Sequence, residues 1–222
     1  MINTLDDYIC SSMPQSGAFA TNPNLRKKVD EEGKLVSFVG NTVVFLLEDE
    51  NKEDLYRMQE MLYQAAPDML AQPLQGSTFH MTLHDLANSQ PEESGLYDYM
   101  KYTQEQAVQI LSQWKNDRPL RMKTTWLFNM VNTSIVLGLS PADDETWKQL
   151  DDMYMQLESV VPLGYALTPH ITMAYFRPGV YTEEQVQRLS GALRKVELEF
   201  TLSMEQLVFQ NFTDMNHYET VL

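Results

Sequence analysis

A short run that occurs twice decides the fold of this chain. It reads Phe79-His80-Met81-Thr82-Leu83-His84 the first time and His170-Ile171-Thr172-Met173-Ala174-Tyr175-Phe176 the second time. Both runs have the β-branched and aromatic content that is typical of strands. In each run a histidine is followed two positions later by a threonine. Because side chains two apart in a strand share a face, each strand should present an imidazole and a hydroxyl together.

The segments that precede the two runs also repeat. A β-type run at 42–47 precedes a helix, and a second β-type run at 134–139 precedes another. An offset of 92 residues relates the strands and also the apolar helix positions, which are Leu55, Met58, Met61 and Leu62 in the first half and Trp147, Leu150, Met153 and Tyr154 in the second. This pattern indicates an internal duplication of strand–helix–strand units. It predicts an α+β fold, a bilobal β-α-β cradle in which two antiparallel-type sheets face a central groove.

The chain divides into an extension and one bilobal domain. Residues 1–35 are polar and contain Pro14, Gly17, Pro23 and Gly33, so we expect an N-terminal extension that packs across the body. Residues 36–222 form the domain, with lobe 1 at about 36–130, lobe 2 at about 131–212 and a C-terminal tail. A helix near 182–195 and β runs at 197–202 and 205–212 should complete the sheets.

The composition favours a cytoplasmic protein. The chain has one cysteine, Cys10, which rules out an internal disulfide and favours a reducing compartment. It begins without the basic and apolar regions of a secretory signal. It contains no apolar stretch of the roughly 20 residues that a membrane helix needs. We therefore expect no membrane partner.

The charge limits the kind of partner. Sixteen basic residues against 31 acidic ones give a net charge of −15, and the densest basic cluster is Arg26-Lys27-Lys28. Proteins that grip long nucleic acids carry a basic stripe that displaces counterions from many phosphates. This balance predicts that any anionic substrate is small, and it argues against a duplex nucleic acid as partner.

The repeated tripeptides suit chemistry at a phosphodiester. If the two lobes face each other, His80, His170, Thr82 and Thr172 converge on one cleft. A neutral imidazole can take a proton from an attacking water or hydroxyl, and a protonated one can give a proton to the leaving oxygen. The threonine hydroxyls can bind the non-bridging oxygens. This chemistry requires no metal and no cofactor, and it predicts a bell-shaped pH–rate curve.

The two His-x-Thr-apolar motifs, about 90 residues apart, resemble those of the 2H phosphoesterase superfamily (the LigT-like group). The lead-in Gly40-Asn41-Thr42-Val43 adds to the resemblance, which covers roughly residues 35–212. It implies a bilobal α+β cradle and a cyclic phosphodiesterase, a phosphoric diester hydrolase. The implied substrates are small nucleotides or cyclic phosphates, such as 2′,3′-cyclic phosphate RNA termini, small cyclic nucleotides and ADP-ribose cyclic phosphate. The motif residues carry over onto His80, Thr82, His170 and Thr172 without substitution.

Three further residues are candidates for the cleft. His84 shares the strand face of His80 and could reach the edge of the cleft, although its position favours a surface or strand-end histidine. Alternation in 121–130 assigns Met122, Thr124, Trp126, Phe128 and Met130 to the core and leaves Lys123 toward the groove. Arg177 follows the second motif, where it suits either phosphate binding or a solvated strand end.

The aromatic residues are less clear. Alternation assigns Tyr175 to the core, and the aromatic that should stack on a base is not identified.

Two other functions stay open. A catalytically inactive nucleotide- or RNA-end-binding module would keep the same cleft without turnover. A metallohydrolase would use His80, His84 and His170 as ligands, although neither tripeptide contains an Asp or Glu.

Overall fold

The computed structural model describes residue 2, residues 17–115 and residues 117–222. The helices of this part are α1 (Asp49–Ala65), α2 (Leu96–Gln113), α3 (Asp144–Glu158) and α4 (Glu183–Ala192). The strands are β1 (Phe19–Ala20), β2 (Val39–Leu46), β3 (His80–Ser89), β4 (Leu120–Met130), β5 (Ser134–Pro141), β6 (His170–Tyr175), β7 (Val180–Tyr181), β8 (Glu199–Leu202), β9 (Leu207–Asp214) and β10 (His217–Thr220). The predicted strands and helices of both repeats are therefore present, with ends that differ by a few residues.

Eight strands form one curled antiparallel sheet in the order β10-β9-β2-β3-β6-β5-β4-β8, and β1 and β7 form a small second sheet. The large sheet consists of two four-stranded halves, which join through a single pairing of Met81 in β3 with Ile171 in β6. The predicted α+β class is confirmed. The two halves of the predicted cradle are continuous, so β3 and β6, which carry the two motifs, are neighbours at its centre.

The duplication extends to the register of the strands. Thr82 pairs with Val44 in the first half, and Thr172 pairs with Val136 in the second. The same offset of 92 residues that relates the sequences relates Val44 to Val136. Each half therefore sets its histidine and threonine by the same pairing.

The helix faces pack as predicted at most positions. Leu55, Met58 and Leu62 of α1 are buried, and Leu150, Met153 and Tyr154 of α3, the equivalents of Met58, Met61 and Leu62, are buried too. The prediction is wrong for Trp147, which lies in the first turn of α3 and is 45% exposed.

The two motif strands carry β-bulges at equivalent places. The pairing of β3 with β2 shifts between Val43 and Val44, and that of β6 with β5 shifts between Ile135 and Val136. A bulge adds one residue to a strand and interrupts the alternation of its side chains. Beyond the bulges Asp85 and Tyr175, each three residues after a motif threonine, line the same cleft as the threonines. Tyr175 is buried as predicted, but it faces the cleft.

A bulge also changes the alternation in β4. Trp126, predicted to be in the core, is 40% exposed, whereas Leu127 is buried. The pairing of β4 with β5 shifts between Thr124 and Leu127, which reverses the face of the residues that follow.

The N-terminal extension packs against the body where it is described. Phe19 pairs with Tyr181 between β1 and β7, and Phe19, Leu25 and Val29 are buried in the main core. Residues 1 and 3–16, including Cys10, lie outside the described residues.

Strand pairing crosses the lobe boundary predicted at residue 130. Strand β4, assigned to lobe 1, pairs with β5 and β8, while β9, assigned largely to lobe 2, pairs with β2. The second half of the sheet therefore includes β4 from the first part of the chain, and the first half includes β9 from the last part. No helix in the described part of the chain is long and apolar enough to cross a membrane.

Candidate active site

All four residues of the duplicated motifs line one cleft of about 530 Å³. His80 and Thr82 come from β3, His170 and Thr172 come from β6, and all four are half-buried. The residues between them, Met81 and Ile171, turn away into the core and make the pairing that joins the halves. The structure thus brings together the two imidazoles and two hydroxyls that the sequence identified.

A backbone carbonyl orients the ring of His170. Its Nδ1 lies 2.6 Å from the carbonyl oxygen of Thr168, and because a carbonyl can only accept, Nδ1 carries the proton. Nε2 is then the ring nitrogen that is left for a substrate. In the first half the backbone of Thr78, the residue equivalent to Thr168, acts on the His80 ring in the same sense and favours its protonated form. The repeated signal is therefore Thr-x-His-x-Thr, and the shared leading threonine is a feature that the His-x-Thr motif alone misses.

The cleft favours neutral imidazoles in the protein without ligand. Burial lowers the pKa of His80 to about 4, with the charges of His170 and Lys28 acting in the same direction. Burial also lowers the pKa of His170, and Lys28 adds to this effect. The Asp85 carboxylate opposes both changes. A bound anion would act as Asp85 does and favour the protonated form of one ring.

Lys28, which the sequence analysis did not single out as a site residue, also lines the cleft. Its Nζ lies 5.2 Å from the ring centroid of Phe38 and 5.5 Å from that of Tyr175. Burial disfavours the charged form of Lys28, but Tyr175 and the Asp85 carboxylate outweigh it and raise its pKa above the ordinary value. Lys28 is therefore a cation at neutral pH.

Two tyrosines complete the walls. The ring of Tyr218 in β10 lies edge-on to the imidazole of His80, with centroids 5.1 Å apart and planes at 69°. Tyr165, in the loop between α3 and β6, lines the cleft and is 60% exposed. Sequence reasoning expected an aromatic residue near the cleft but had no pattern that would identify Tyr165 or Tyr218.

His84 lies in the wall of the cleft and is only 1% exposed, which excludes the surface alternative. Its Nδ1 lies 2.5 Å from the carbonyl oxygen of Asp85, and its Nε2 lies 3.1 Å from Oε1 of Glu158. Burial lowers the pKa of His84, whereas both of these partners favour the protonated ring. Both ring nitrogens are thus engaged by protein atoms.

Glu158 links His84 to the loop that carries Tyr165. Its carboxylate accepts from the backbone N–H groups of Leu163 at 3.0 Å and Gly164 at 3.5 Å. Partial burial disfavours its charged form, yet these bonds and that of His84 hold the pKa of Glu158 below its ordinary value. His84 is therefore a positioning residue for this loop.

Two of the sequence candidates lie outside the cleft. Lys123 is exposed on β4, with Nζ 3.6 Å from Oε1 of Glu199 in the neighbouring strand. The groove-facing placement of Lys123 is wrong because the sheet turns this face of β4 to solvent. Arg177 donates from Nε to the carbonyl oxygen of Glu31 at 3.0 Å and so fastens the N-terminal extension.

The metal-site alternative is weakened by the contacts of His84. A metal bound by His80, His84 and His170 needs a free nitrogen on each ring, and both nitrogens of His84 are engaged. In the part of the chain that the structure describes, no group of three or more His, Cys, Asp or Glu side chains is placed to hold a metal ion.

No protein-family model matches the chain, and no curated protein matches it by sequence. Solved structures share its fold. ATU0111, a conserved protein of unknown function from Agrobacterium tumefaciens, is 17% identical over 99% of both chains, with a TM-score of 0.67. Escherichia coli LigT in its apo form is 12% identical over 84% of this chain and 96% of LigT, with a TM-score of 0.53. LigT complexed with ATP is 11% identical over 83% of this chain and 96% of LigT, with a TM-score of 0.51.

These comparisons establish a LigT-like fold. The fold that the resemblance to the 2H phosphoesterases implies is thereby confirmed.

Proposed function

We propose that this protein is a metal-independent phosphoesterase that opens a small cyclic phosphodiester, such as the 2′,3′-cyclic phosphate of a nucleotide or of an RNA end. The observation that carries the proposal is the single cleft that two imidazoles and two threonine hydroxyls share, supplied in pairs by duplicated strands. His80 and His170 are the acid–base pair, and Thr82 and Thr172 bind the phosphate.

The reaction needs two proton transfers, which two imidazoles can supply. The neutral imidazole takes a proton from a water as its oxygen bonds to phosphorus. The other imidazole, protonated, gives its proton to the ring oxygen as the phosphorus–oxygen bond breaks. The product is a phosphomonoester, and a proton exchange with solvent restores the two rings. We assign the base to His80, because its pKa of about 4 keeps it neutral at physiological pH.

The charges of the cleft support an anionic substrate of small size. The described residues that line it include Lys27, Lys28 and one carboxylate, Asp85, in a chain whose net charge is −15. This local excess of positive charge can hold one phosphate, whereas the molecule as a whole repels a polyanion. The LigT-like fold, which in LigT accommodates ATP, also supports a small nucleotide.

The test compares histidine variants in the presence of a chelator. Wild type, His80→Gln and His170→Gln are each incubated with 2′,3′-cyclic, 3′,5′-cyclic and ADP-ribose cyclic phosphates, and ³¹P NMR follows the products. We expect each variant to lose about 10²–10⁴-fold in turnover, the usual contribution of a positioned acid or base. His217→Gln is the matched control, since His217 is exposed and bonds to Asp214 outside the cleft.

Two outcomes would overturn the proposal. Binding of a cyclic nucleotide by wild type with no turnover would identify the binding module instead. Activity that disappears in chelator and returns with zinc would identify a metallohydrolase.

A further inference from the structure

The N-terminal extension delivers Lys28 to the cleft in a fixed position. Leu25 and Val29, on either side of it, are buried in the core. The backbone N–H of Lys28 donates to the carbonyl oxygen of Leu25 at 2.9 Å, and its own carbonyl accepts from the N–H of Val36 at 3.0 Å. The backbone of Lys28 is therefore held on both sides, and its side chain lines the cleft.

The turn that follows Lys28 is bonded to the body of the protein. Arg177 donates to the carbonyl oxygen of Glu31 at 3.0 Å, and the N–H of Gln72 donates to the carbonyl oxygen of Gly33 at 2.7 Å. Both partners lie far from Lys28 in sequence. The extension is thus an integral wall of the cleft.

The surroundings of the Lys28 ammonium stabilise its charge with few anionic groups, so the charge can interact with a bound anion. The faces of Phe38 and Tyr175 lie within cation–π distance, which offsets part of its lost hydration. Asp85 is the only carboxylate among the described residues that line the cleft. The charge of Lys28 lowers the pKa of both His80 and His170. Lys28, His80 and His170 line the same cleft.

We propose that Lys28 binds a non-bridging oxygen of the phosphate that reacts between His80 and His170. It is a third contact to the anion, beside Thr82 and Thr172, and the duplication does not supply it. An ammonium is a compact point charge that suits phosphate, and its attraction increases as negative charge develops on the oxygen. That Lys28 contacts a bound anion is argued from the cleft alone. That this anion is the reacting phosphate rests on the proposed function.

Inorganic phosphate is the probe for this contact. Isothermal titration at about pH 8, where imidazoles of lowered pKa are neutral, compares wild type with Lys28→Met, Lys28→Arg and Lys34→Met. Lys34→Met is the matched control, because Lys34 is an exposed residue of the same segment outside the cleft. Lys34→Met and Lys28→Met each remove one positive charge, so the two variants have the same net charge and a difference in affinity reflects the position of the lysine.

We expect Lys28→Met to bind phosphate about tenfold more weakly or worse, as for the loss of a charge-assisted hydrogen bond. Lys28→Arg should retain most of the affinity, and Lys34→Met should match wild type. Equal affinities of wild type and Lys28→Met would overturn the inference. So would a failure of wild type to bind phosphate.

A second measurement on wild type covers the outcome in which Lys28→Met does not fold. Reductive dimethylation with ¹³C-formaldehyde labels lysines and keeps their charge, and the Lys28 signal is the one that Lys28→Arg lacks. This signal should shift as phosphate is added, and a signal that stays in place would overturn the inference.

The two proposals fail separately. If phosphate binding depends on Lys28 but no cyclic phosphate is opened, the contact of Lys28 with a bound anion stands and the proposed reaction is wrong. If wild type and Lys28→Met open a cyclic phosphate with the same KM and bind phosphate equally, the reaction stands and the inference is wrong.

Discussion

The residues of the cleft fall into those that the duplication supplies twice and those that occur once. The pairs are His80 with His170, Thr82 with Thr172, and the threonines that anchor the two rings. A phosphoryl group with two equivalent non-bridging oxygens suits such a symmetric frame. Asp85 and Tyr175, by contrast, occupy equivalent positions but differ in chemistry. Together with Lys28 and Tyr165 they make the two sides of the cleft chemically different.

Tyr165 is expected to bind the base of a nucleotide and to leave the phosphate unaffected. We predict that Tyr165→Ala weakens the binding of a nucleoside monophosphate by about 1–3 kcal/mol, the usual effect of removing a stacking ring. Binding of inorganic phosphate should not change. The loop should persist, because it is held by the backbone carbonyl of Tyr165, which accepts from the Tyr154 hydroxyl at 2.7 Å.

Isothermal titration of wild type, Tyr165→Ala and Tyr165→Phe with both ligands checks this. The phenylalanine variant keeps the ring face and should bind as wild type does. Equal losses for phosphate and nucleotide in Tyr165→Ala would mean that the loop has moved, and no loss for the nucleotide would exclude stacking.

At the scale of strands and helices, the sequence predicted what depends on local period. The apolar alternation, the helical spacing and the offset of 92 residues identified both strand–helix–strand units and placed the motif residues in one cleft. The prediction from sequence failed where a β-bulge interrupts the two-residue alternation of a strand. The bulges after Thr82 and Thr172 place Asp85 and Tyr175 at the cleft, and the bulge in β4 exposes Trp126. A bulge is set by the pairing of two strands, so one strand alone does not reveal it.

Contacts between distant segments were the other source of error. Lys28 and Tyr218 reach the cleft from near the two ends of the chain. Strand β9 pairs with β2, more than half the chain away, and β4 joins the half that follows it. No local pattern specifies these partners, which are selected by the burial of the whole core.

Gly40 lies in β2 at a point where this strand comes very close to β3. A Cβ on Gly40 would lie 2.4 Å from the carbonyl oxygen of Ala87 and 2.6 Å from the ring of Phe212. We predict that Gly40→Ala lowers the free energy of unfolding by about 1–3 kcal/mol, since the backbone of β3 must move.

Gly191 offers a matched control, because a Cβ there meets open space on α4. Gly191→Ala should be neutral or stabilise the protein by about 0.5–1 kcal/mol, as for glycine replaced in a helix. Urea unfolding of wild type and both variants measures the differences. A stable Gly40→Ala protein would show that β2 and β3 can separate without cost.

For the whole molecule, the buried histidines link folding to pH. Burial lowers the pKa values of His80, His84 and His170, that of His80 to about 4. In the unfolded chain an imidazole has a pKa of about 6.5. Between the folded and unfolded values the unfolded chain binds more protons, so stability is full above about pH 6.5 and falls as the pH decreases. Each histidine that stays neutral in the folded protein costs about 1.4 kcal/mol per pH unit in that range.

A second effect of acid acts in the opposite direction. The chain carries a net charge of −15, and protonation of its carboxylates relieves self-repulsion. Wild type and a His80→Gln, His170→Gln double variant have the same carboxylates. The difference between their free energies of unfolding is therefore free of this effect. Urea unfolding between about pH 7 and pH 5 should therefore show a steeper loss of stability in wild type than in the variant. Parallel curves would mean that both rings take up protons in the folded protein as freely as in the unfolded chain, and the cleft would then hold imidazolium ions even without a ligand.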